Sequence, residues 1–223
     1  MSVTYNLPWN QSDRYWLCLW ADDKLPSVFT KALDSLQLVH EGAFYFYEMP
    51  RHWAERWQSL RTVIREKGPA VGLHVALIGG DTRPPANEIK LHEKPLAVID
   101  GIAQNLWLGE ALMENRFVSY MQKVMDKRGK IFGYEAFGRG HDSEGKLIDG
   151  ASIFRASKGL QVEHILDRHL HVQAIRTFVS SDLDGFLFIN MLPGFIHRPE
   201  KYLHGLAETV QKHGMVSKYL VID

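Results

Sequence analysis

Three apolar segments of the sequence each end at a side chain that carries an oxygen atom suited to binding a cation. Residues 131–134 lead to Glu135, residues 186–189 lead to Asn190, and residues 219–222 lead to Asp223. The segments have the length and composition of buried strands. In a parallel barrel the carboxyl ends of the strands gather at one face, so we expect Glu135, Asn190 and Asp223 to lie near one another.

Metal and phosphate binding is the chemistry that this set of side chains favours. Carboxylate and carboxamide oxygens are the ligands that hard cations such as Mg²⁺ or Mn²⁺ prefer. Arg139 follows Glu135 by four residues, in a predicted loop above the same face, where a guanidinium could hold a phosphate with two hydrogen bonds. A polar residue at a strand end can also mark the point where the chain leaves the core, and the pattern leaves both interpretations open.

The elements that must position these residues alternate between strands and helices. Strands are predicted over residues 117–124, 130–137, 186–191 and 219–223, and helices over residues 151–158, 161–179 and 199–213. Arg128 and Gly129 mark a turn between the first two strands. Strands that are separated by helices pair in parallel, so this half of the chain is predicted to be α/β.

The first half of the chain predicts a second, smaller α/β domain. Strands are expected over residues 16–20, 43–49 and 71–78, with helices over residues 25–39 and 51–67, and this order is typical of a small open α/β domain. Trp53 and Trp57 share one helix face and are interpreted as core residues. A long helix over residues 96–115 is predicted to connect the two halves. The predicted domains are residues 1–92 and 117–223, with residues 93–116 as the connecting helix.

Composition and charge limit the partners and the compartment. Lys+Arg and Asp+Glu each number 26, which gives no support to a nucleic-acid polymer as partner or to a polybasic membrane anchor. Cys18 is the single cysteine, which excludes an internal disulfide and fits a reducing compartment. The sequence has no secretory signal and no apolar stretch of the roughly 20 residues that a membrane helix needs. We therefore expect a soluble, cytoplasmic protein.

Three histidines in the second half of the chain are close in sequence but lack the spacing of a metal site. His164, His169 and His171 fall on the helix predicted over residues 161–179, and the HExxH spacing is absent. We interpret these histidines as surface or partly buried residues.

An ordered series of motifs in the second half resembles the EAL family of cyclic-di-GMP phosphodiesterases. Residues 133–140, Gly-Tyr-Glu-Ala-Phe-Gly-Arg-Gly, resemble the Glu-Ala-Leu-x-Arg signature that names the family. Residues 127–131 resemble its first hairpin, residues 153–168 its first helices, residues 188–191 its Asn-bearing strand and residues 219–223 a strand that normally ends at a metal-binding glutamate. The resemblance covers roughly half of the family's domain and keeps the family's order.

The resemblance implies a fold, a substrate and a role for each matched residue. The fold is a TIM-like (β/α) barrel, of which residues 117–223 would form the first half. The implied activity is hydrolysis of cyclic-di-GMP with two Mg²⁺ or Mn²⁺ ions that activate a water for in-line attack. Glu135 and Asn190 would bind metal, Asp223 would stand where the family has a glutamate or at an earlier acidic position of that strand, and Gln122 and Arg139 would contact the substrate.

The sequence departs from the family at several positions that bear on activity. Phe137 replaces the leucine of the signature, and Lys123 replaces the proline that follows the glutamine matched by Gln122. The family's Asp-Asp pair, catalytic lysine and later carboxylate would follow the strand that ends at Asp223. A (β/α)₈ barrel takes about 250 residues. We therefore expect a truncated gene product, or a chain that pairs with something that completes it. The apolar strand surface that a half barrel would expose also predicts a homodimer.

Three functions are compatible with these observations. The first is a cyclic-di-GMP phosphodiesterase with an N-terminal sensory or regulatory domain. The second is a degenerate EAL module that binds cyclic-di-GMP or a protein partner without cleaving the nucleotide, which the changes at Phe137 and Lys123 favour. The third is an interaction domain without a ligand, against which the presence of Gln122, Glu135, Arg139 and Asn190 argues.

Overall fold

The computed structural model describes residues 14–50, 53–69, 72–192 and 199–223, which fall into two units. The first unit comprises the described residues up to Gly109, and the second runs from Glu110 to Asp223. Within the described residues, no helix has the combination of length and apolar composition that a membrane span requires.

The first unit is an open sheet with helices, which agrees with the predicted small α/β domain. Its elements are β1 (Arg14–Ala21), α1 (Ser27–Ser35), β2 (Val39–Glu41), β3 (Phe44–Pro50), α2 (Ala54–Lys67), β4 (Leu73–Gly79), α3 (Ala86–Ile89), a 3₁₀ turn (Lys90–His92) and β5 (Glu93–Lys94). The strand order is β2-β3-β1-β4-β5, and every pair is antiparallel. Helix α4 (Leu96–Met113) follows and crosses the boundary between the units.

Strand β1 is buried on both of its faces, which explains its continuous apolar sequence. Trp16, Cys18 and Trp20 belong to one core cluster, while Leu17 and Leu19, which point to the other face, are fully buried. Trp53 and Trp57 are also buried, which confirms their interpretation as core residues. The helix predicted over residues 25–39 instead ends at Ser35, because Gln37 adopts a left-handed φ of 64° that no helix can continue through.

The second unit contains the sheet that carries the candidate site. Its elements are β6 (Phe117–Met125), β7 (Ile131–His141), β8 (Leu147–Ile148), α5 (Gly150–Leu160), α6 (Glu163–Ser180), β9 (Phe186–Ile189), α7 (Pro199–Lys212), a 3₁₀ turn (Ser217–Tyr219) and β10 (Leu220–Ile222). The strand order is β6-β7-β9-β10, with β8 paired to the outer part of β7. These bounds match the predicted helices and strands within a few residues.

Chain connections determine the direction of each pair in this sheet. Strands β6 and β7 form an antiparallel hairpin, because the short turn between them reverses the chain. Asp126 Oδ1 accepts hydrogen bonds from the backbone N–H groups of Arg128 and Lys130 in that turn, and Gly129 supplies its left-handed φ of 75°. Helices separate β7 from β9 and β9 from β10, and both of these pairs are parallel, as predicted.

One face of the sheet is covered by helices and the opposite face carries the candidate site. Ala136, Leu187 and Ile189 pack in a core cluster with residues of α6 and α7. Because successive strand residues point to opposite faces, the neighbours of these residues along each strand lie on the other face. Close pairing of β7 with β9 depends on Gly133, where a Cβ atom would lie 2.3 Å from the carbonyl oxygen of Phe186.

Candidate functional site

Backbone register places the predicted metal and substrate residues on a single face of the sheet. Gln122 is the cross-strand partner of Glu135 in the β6–β7 hairpin. Glu135 is the partner of Phe188 in β9, and Asn190 lies two residues beyond Phe188, so it points the same way. Gln122, Glu135 and Asn190 therefore share the face opposite to α6 and α7.

Asp223 reaches the same face through the pairing of β9 and β10. The Asp223 N–H donates to the carbonyl oxygen of Ile189, and the Met191 N–H donates to the carbonyl oxygen of Asp223, both at 3.0 Å. This pattern makes Asp223 the parallel partner of Asn190. The register thus brings the ends of three strands together, as the sequence predicted from their polar terminal residues.

Glu135 and Asn190 are in direct contact. Asn190 Nδ2 donates a hydrogen bond to Glu135 Oε1 at 2.9 Å. Two adjacent ligands of an octahedral cation, each about 2.1 Å from the metal, are about 3.0 Å apart, and the Glu135–Asn190 spacing matches that separation. Rotation of the carboxamide would present its oxygen in place of its nitrogen. Among the described residues, no group of three or more His, Cys, Asp or Glu side chains converges on one point, so a cation here would need the carboxamide and water or substrate oxygens in addition to carboxylate ligands.

Arg139 lies within strand β7 and not in the loop that the sequence predicted. The strand continues to His141, and Arg139 is the cross-strand partner of Val118. The residue points to the same face as Glu135, because four residues separate the two along a strand. Its guanidinium lies over the rings of Tyr120 and Phe137, with centroid distances of 5.7 and 5.9 Å. One nitrogen, Nη1, donates to the Gly138 carbonyl at 2.8 Å.

The charge of Arg139 is available to a ligand. No carboxylate among the described residues lies within ion-pair distance of its guanidinium. The aromatic rings below it hold the planar group in place without neutralising its charge. A phosphate that approached this side chain would form charge-assisted hydrogen bonds.

A cavity of about 460 Å³ between the sheet and helices α5 and α6 has both Arg139 and Asn190 in its lining. Its polar lining also includes Ser119, Asp149, Asp167 and His171, and the rest of its wall is apolar residues and glycines of β7, α5, α6 and β9. Helix α5 begins at this cavity, with Asp149 as the N-cap that accepts a hydrogen bond from the Ser152 N–H at 2.9 Å. That hydrogen bond lowers the pKa of Asp149. The cavity is large enough for a small polar ligand to contact Arg139 and Asn190 together.

A buried polar group adjoins Asn190 and was not identified from the sequence. Asp167 and His171 lie one turn apart on α6 and are 5% and 4% exposed. The Tyr202 hydroxyl lies 2.6 Å from His171 Nδ1 and 3.2 Å from Asp167 Oδ2. His171 Nε2 lies 2.8 Å from the backbone carbonyl oxygen of Asn190. The only local signal for this group was the i, i+4 spacing of Asp167 and His171.

Burial changes the acid–base properties of this group. Removal from water raises the pKa of Asp167, and this effect outweighs the opposing influence of His171 and of the hydrogen bonds from Tyr202 and the Leu192 N–H. Burial also raises the pKa of Tyr202, with the nearby Asp167 adding to the effect, so the hydroxyl keeps its proton. Burial thus favours the protonated form of both Asp167 and Tyr202.

The interpretation of the α6 histidines as surface or partly buried residues is wrong for two of them. His164 is exposed, but His169 is only 5% exposed and His171 is buried as described above. The ring of His169 meets the edge of Phe117 at a centroid distance of 5.2 Å. Burial, with a smaller contribution from the positive charge of Arg176, lowers the pKa of His169 to about 4. Helix α6 is buried on more sides than its sequence pattern indicated.

Comparison with known proteins identifies solved EAL-domain structures but no family model or curated relative. No family model matches the chain, and no curated protein matches it. The EAL domain of FimX from Pseudomonas aeruginosa, solved with bound c-di-GMP, is 23% identical over 55% of this chain and 49% of that chain, with a TM-score of 0.46. A LapD fragment from Vibrio cholerae that contains an S helix, a GGDEF and an EAL domain is 16% identical over 93% of this chain and 61% of that chain, with a TM-score of 0.46.

A third solved structure is of the same kind. A standalone EAL protein from Vibrio cholerae O395 in its c-di-GMP-bound form is 23% identical over 48% of this chain and 43% of that chain, with a TM-score of 0.40. Each of these structures contains an EAL domain. The chain spans about half the length of the FimX structure that it matches.

Proposed function

We propose that the second unit is an EAL-type domain that acts on cyclic-di-GMP, as a phosphodiesterase when the domain is complete. The proposal rests on the ordered sequence motifs from Phe117 to Asp223 and on one structural observation. Glu135 and Asn190, from different strands, meet at 2.9 Å on a sheet face that also carries Arg139. Oxygen ligands beside an unneutralised guanidinium suit a substrate that consists of phosphates and needs a cation.

Each residue of this face has a proposed role. Glu135, Asn190 and Asp223 are the ligands of Mg²⁺ or Mn²⁺, and Arg139 holds a non-bridging phosphate oxygen. Gln122, opposite Glu135 on the neighbouring strand, contacts the nucleotide. A bound pair of cations would lower the pKa of a water and stabilise the charge that develops during phosphodiester hydrolysis. The proposed role of these residues is to bind and orient the cations and the substrate.

The remaining features support a wider functional hypothesis. We propose residues 1–92 as a sensory or regulatory domain, residues 93–116 as a connecting helix and residues 117–223 as a partial EAL domain. A cytoplasmic location agrees with the free, buried Cys18, since buried thiols persist in reducing compartments. A homodimer is the proposed assembly, because Tyr120 and Phe132 in the hairpin are 50% and 45% exposed, and apolar sheet surface favours association.

A module that binds cyclic-di-GMP, or a protein partner, without cleaving the nucleotide is the second candidate. Lys123 stands where the family has proline, and it is exposed in the middle of β6, where it pairs with Tyr134. Phe137 stands where the family has leucine, and its ring lies beside Arg139. Both changes alter the surroundings of Gln122 and Arg139 without removing either group. They favour a site that retains binding more strongly than catalysis.

Separate titrations of Mn²⁺ and cyclic-di-GMP into variants of the chain test the proposal. Glu135→Gln keeps the shape of the side chain and removes its charge, so it should weaken Mn²⁺ binding. Arg139→Ala should leave Mn²⁺ binding nearly unchanged and weaken nucleotide binding by about 1.5–3 kcal/mol, or roughly 10- to 100-fold. Glu144→Gln and Arg128→Ala change exposed residues of two turns in the same unit and are the matched controls. Wild-type chain that bound neither ligand, or Glu135→Gln with unchanged Mn²⁺ affinity, would refute the proposed roles.

Turnover distinguishes the two candidate functions once the domain is complete. A longer protein that contains the segments expected after Asp223 should hydrolyse cyclic-di-GMP if the domain is an enzyme, and Glu135→Gln should abolish the activity. Tight nucleotide binding without hydrolysis in that protein would select the binding module.

A further inference from the structure

We propose that His171 is a positioning residue, which fixes the backbone at Asn190 so that the Asn190 carboxamide faces Glu135. The inference builds on the proposed function, because it explains how the metal-binding pair is held. The hydrogen bond of His171 Nε2 is to the backbone carbonyl of Asn190 and not to its carboxamide. Its role is therefore to orient the residue that would bind the cation.

The backbone at the end of strand β9 is held at two consecutive residues. The Asn190 carbonyl accepts from His171 Nε2 at 2.8 Å, and the Met191 N–H donates to the Asp223 carbonyl at 3.0 Å. The first of these contacts comes from α6 and the second from the neighbouring strand. Asn190 is the first residue after β9 ends, where the strand no longer pairs on both sides. The direction in which the Asn190 side chain points therefore depends on these contacts.

The hydrogen bond from His171 to Asn190 has a fixed direction. A carbonyl oxygen only accepts, so His171 must carry a proton on Nε2. The hydrogen bond therefore runs from the imidazole of α6 to the end of strand β9.

Tyr202, on helix α7, also holds the imidazole of His171. Its hydroxyl lies 2.6 Å from His171 Nδ1, and the two rings meet edge to face at a centroid distance of 6.1 Å. The imidazole is thus held at both nitrogens, by α7 on one side and by the end of β9 on the other. Side chains that orient metal ligands in this way are commonly worth 10- to 100-fold in metal affinity.

The test compares substitutions of His171 in the metal-free and the Mn²⁺-loaded chain. His171→Leu removes the donor at similar volume, and His171→Gln restores an N–H near the position of Nε2. His164→Gln, at an exposed position of the same helix, is the matched control. In metal-free protein, the NMR signals are the Asn190 carbonyl carbon, which reports the bond from His171, and the Asn190 side-chain amide protons, which report the bond to Glu135. Mn²⁺ affinity is measured by electron paramagnetic resonance.

We expect His171→Leu to shift both NMR signals and to lower Mn²⁺ affinity about 10- to 100-fold. His171→Gln should recover most of both, and His164→Gln should change neither. If His171→Leu does not fold, Tyr202→Phe should shift the same signals less, since it frees the imidazole without removing it. Unchanged Asn190 side-chain signals in His171→Leu, or in Tyr202→Phe in its place, would overturn the inference.

A failure of the proposed function gives a different result. If the wild-type chain binds no Mn²⁺, the metal site is refuted, while the signals of the metal-free protein still decide whether His171 orients Asn190 toward Glu135. If the wild type binds Mn²⁺ and His171→Leu binds it equally well, the metal site stands and the positioning role is refuted.

Discussion

Acid should destabilise the second unit through His169, and His169→Leu should remove that part of the effect. The side chain is buried against Phe117, and its pKa is lowered from 6.5 to about 4. A histidine with a lowered pKa stabilises the fold fully above the pKa of the unfolded chain, and that stabilisation is lost as the pH falls through the folded value. The sensitive range is therefore pH 6.5 to 4.

The size of the effect follows from the two pKa values. Each unit of difference between the folded and the unfolded pKa corresponds to about 1.4 kcal/mol, so full protonation of His169 would lower the unfolding free energy by about 3 kcal/mol. At pH 5 the unfolded histidine is almost fully protonated and the folded one is not, which gives a loss of about 2 kcal/mol relative to pH 8. A loss of this size is a substantial part of the 5–15 kcal/mol that stabilises a typical protein.

Urea unfolding at a series of pH values, followed by near-ultraviolet circular dichroism, measures the effect. Other groups also titrate in this range, so the quantity of interest is the difference in unfolding free energy between wild type and His169→Leu. That difference should change by about 2 kcal/mol between pH 8 and pH 5. His164→Leu, at an exposed position of the same helix, should keep the wild-type dependence. A difference between wild type and His169→Leu that stayed constant with pH would refute the reasoning.

Three further predictions concern the sheets and the activity. Gly133→Ala should lower the unfolding free energy by about 1–3 kcal/mol or more, because the new Cβ would lie 2.3 Å from the Phe186 carbonyl oxygen. Gly205→Ala places a Cβ that meets no atom within 4 Å, so it should stabilise α7 by up to about 1 kcal/mol in the same unfolding assay. In the first unit, hydrogen bonds to Glu93 and Asp22 raise the pKa of His74, so its stabilisation should be present below pH 6.5 and be lost as the pH rises through the folded pKa. Thermal unfolding of wild type and His74→Gln at pH 6 and pH 9 should converge at the higher pH, and an equal gap at both would count against this. The 223-residue chain should not hydrolyse cyclic-di-GMP measurably, because the resemblance places the family's catalytic lysine and Asp-Asp pair after the last matched strand; turnover that Glu135→Ala abolished would contradict this.

Local sequence pattern was sufficient for the elements and for the placement of three polar strand-end residues at one edge of the sheet. The apolar runs before Glu135, Asn190 and Asp223 predicted three strands, and register now places all three residues on one sheet face. Such runs are informative because each strand of this sheet has to bury at least one of its faces. The turn at Gly129 was also predictable, since a left-handed φ strongly favours glycine.

Boundaries were less predictable where a single residue or a neighbouring strand decides them. Gln37 ends helix α1 by adopting a left-handed φ, a conformation that glutamine adopts only when the surrounding fold requires it. Arg139 lies in strand β7 and not in a loop, because pairing with Val118 extends the strand to His141. Propensity near Gly138 and Gly140 indicates no such extension, and the hydrogen bonds of the neighbouring strand supply it.

The sequence by itself determined which side chains could bind a cation and a phosphate, since their types and their places at strand ends follow from local pattern. Tertiary structure alone decided which of them meet and what holds them. Glu135 and Asn190 are 55 residues apart in the chain, and His171 and Tyr202 are 31 apart. Contacts over such distances depend on strand register and on the packing of α6 and α7 against the sheet, which no local periodicity records. The burial of His169 and His171 has the same origin, because the elements that pack against α6 determine which of its sides are buried.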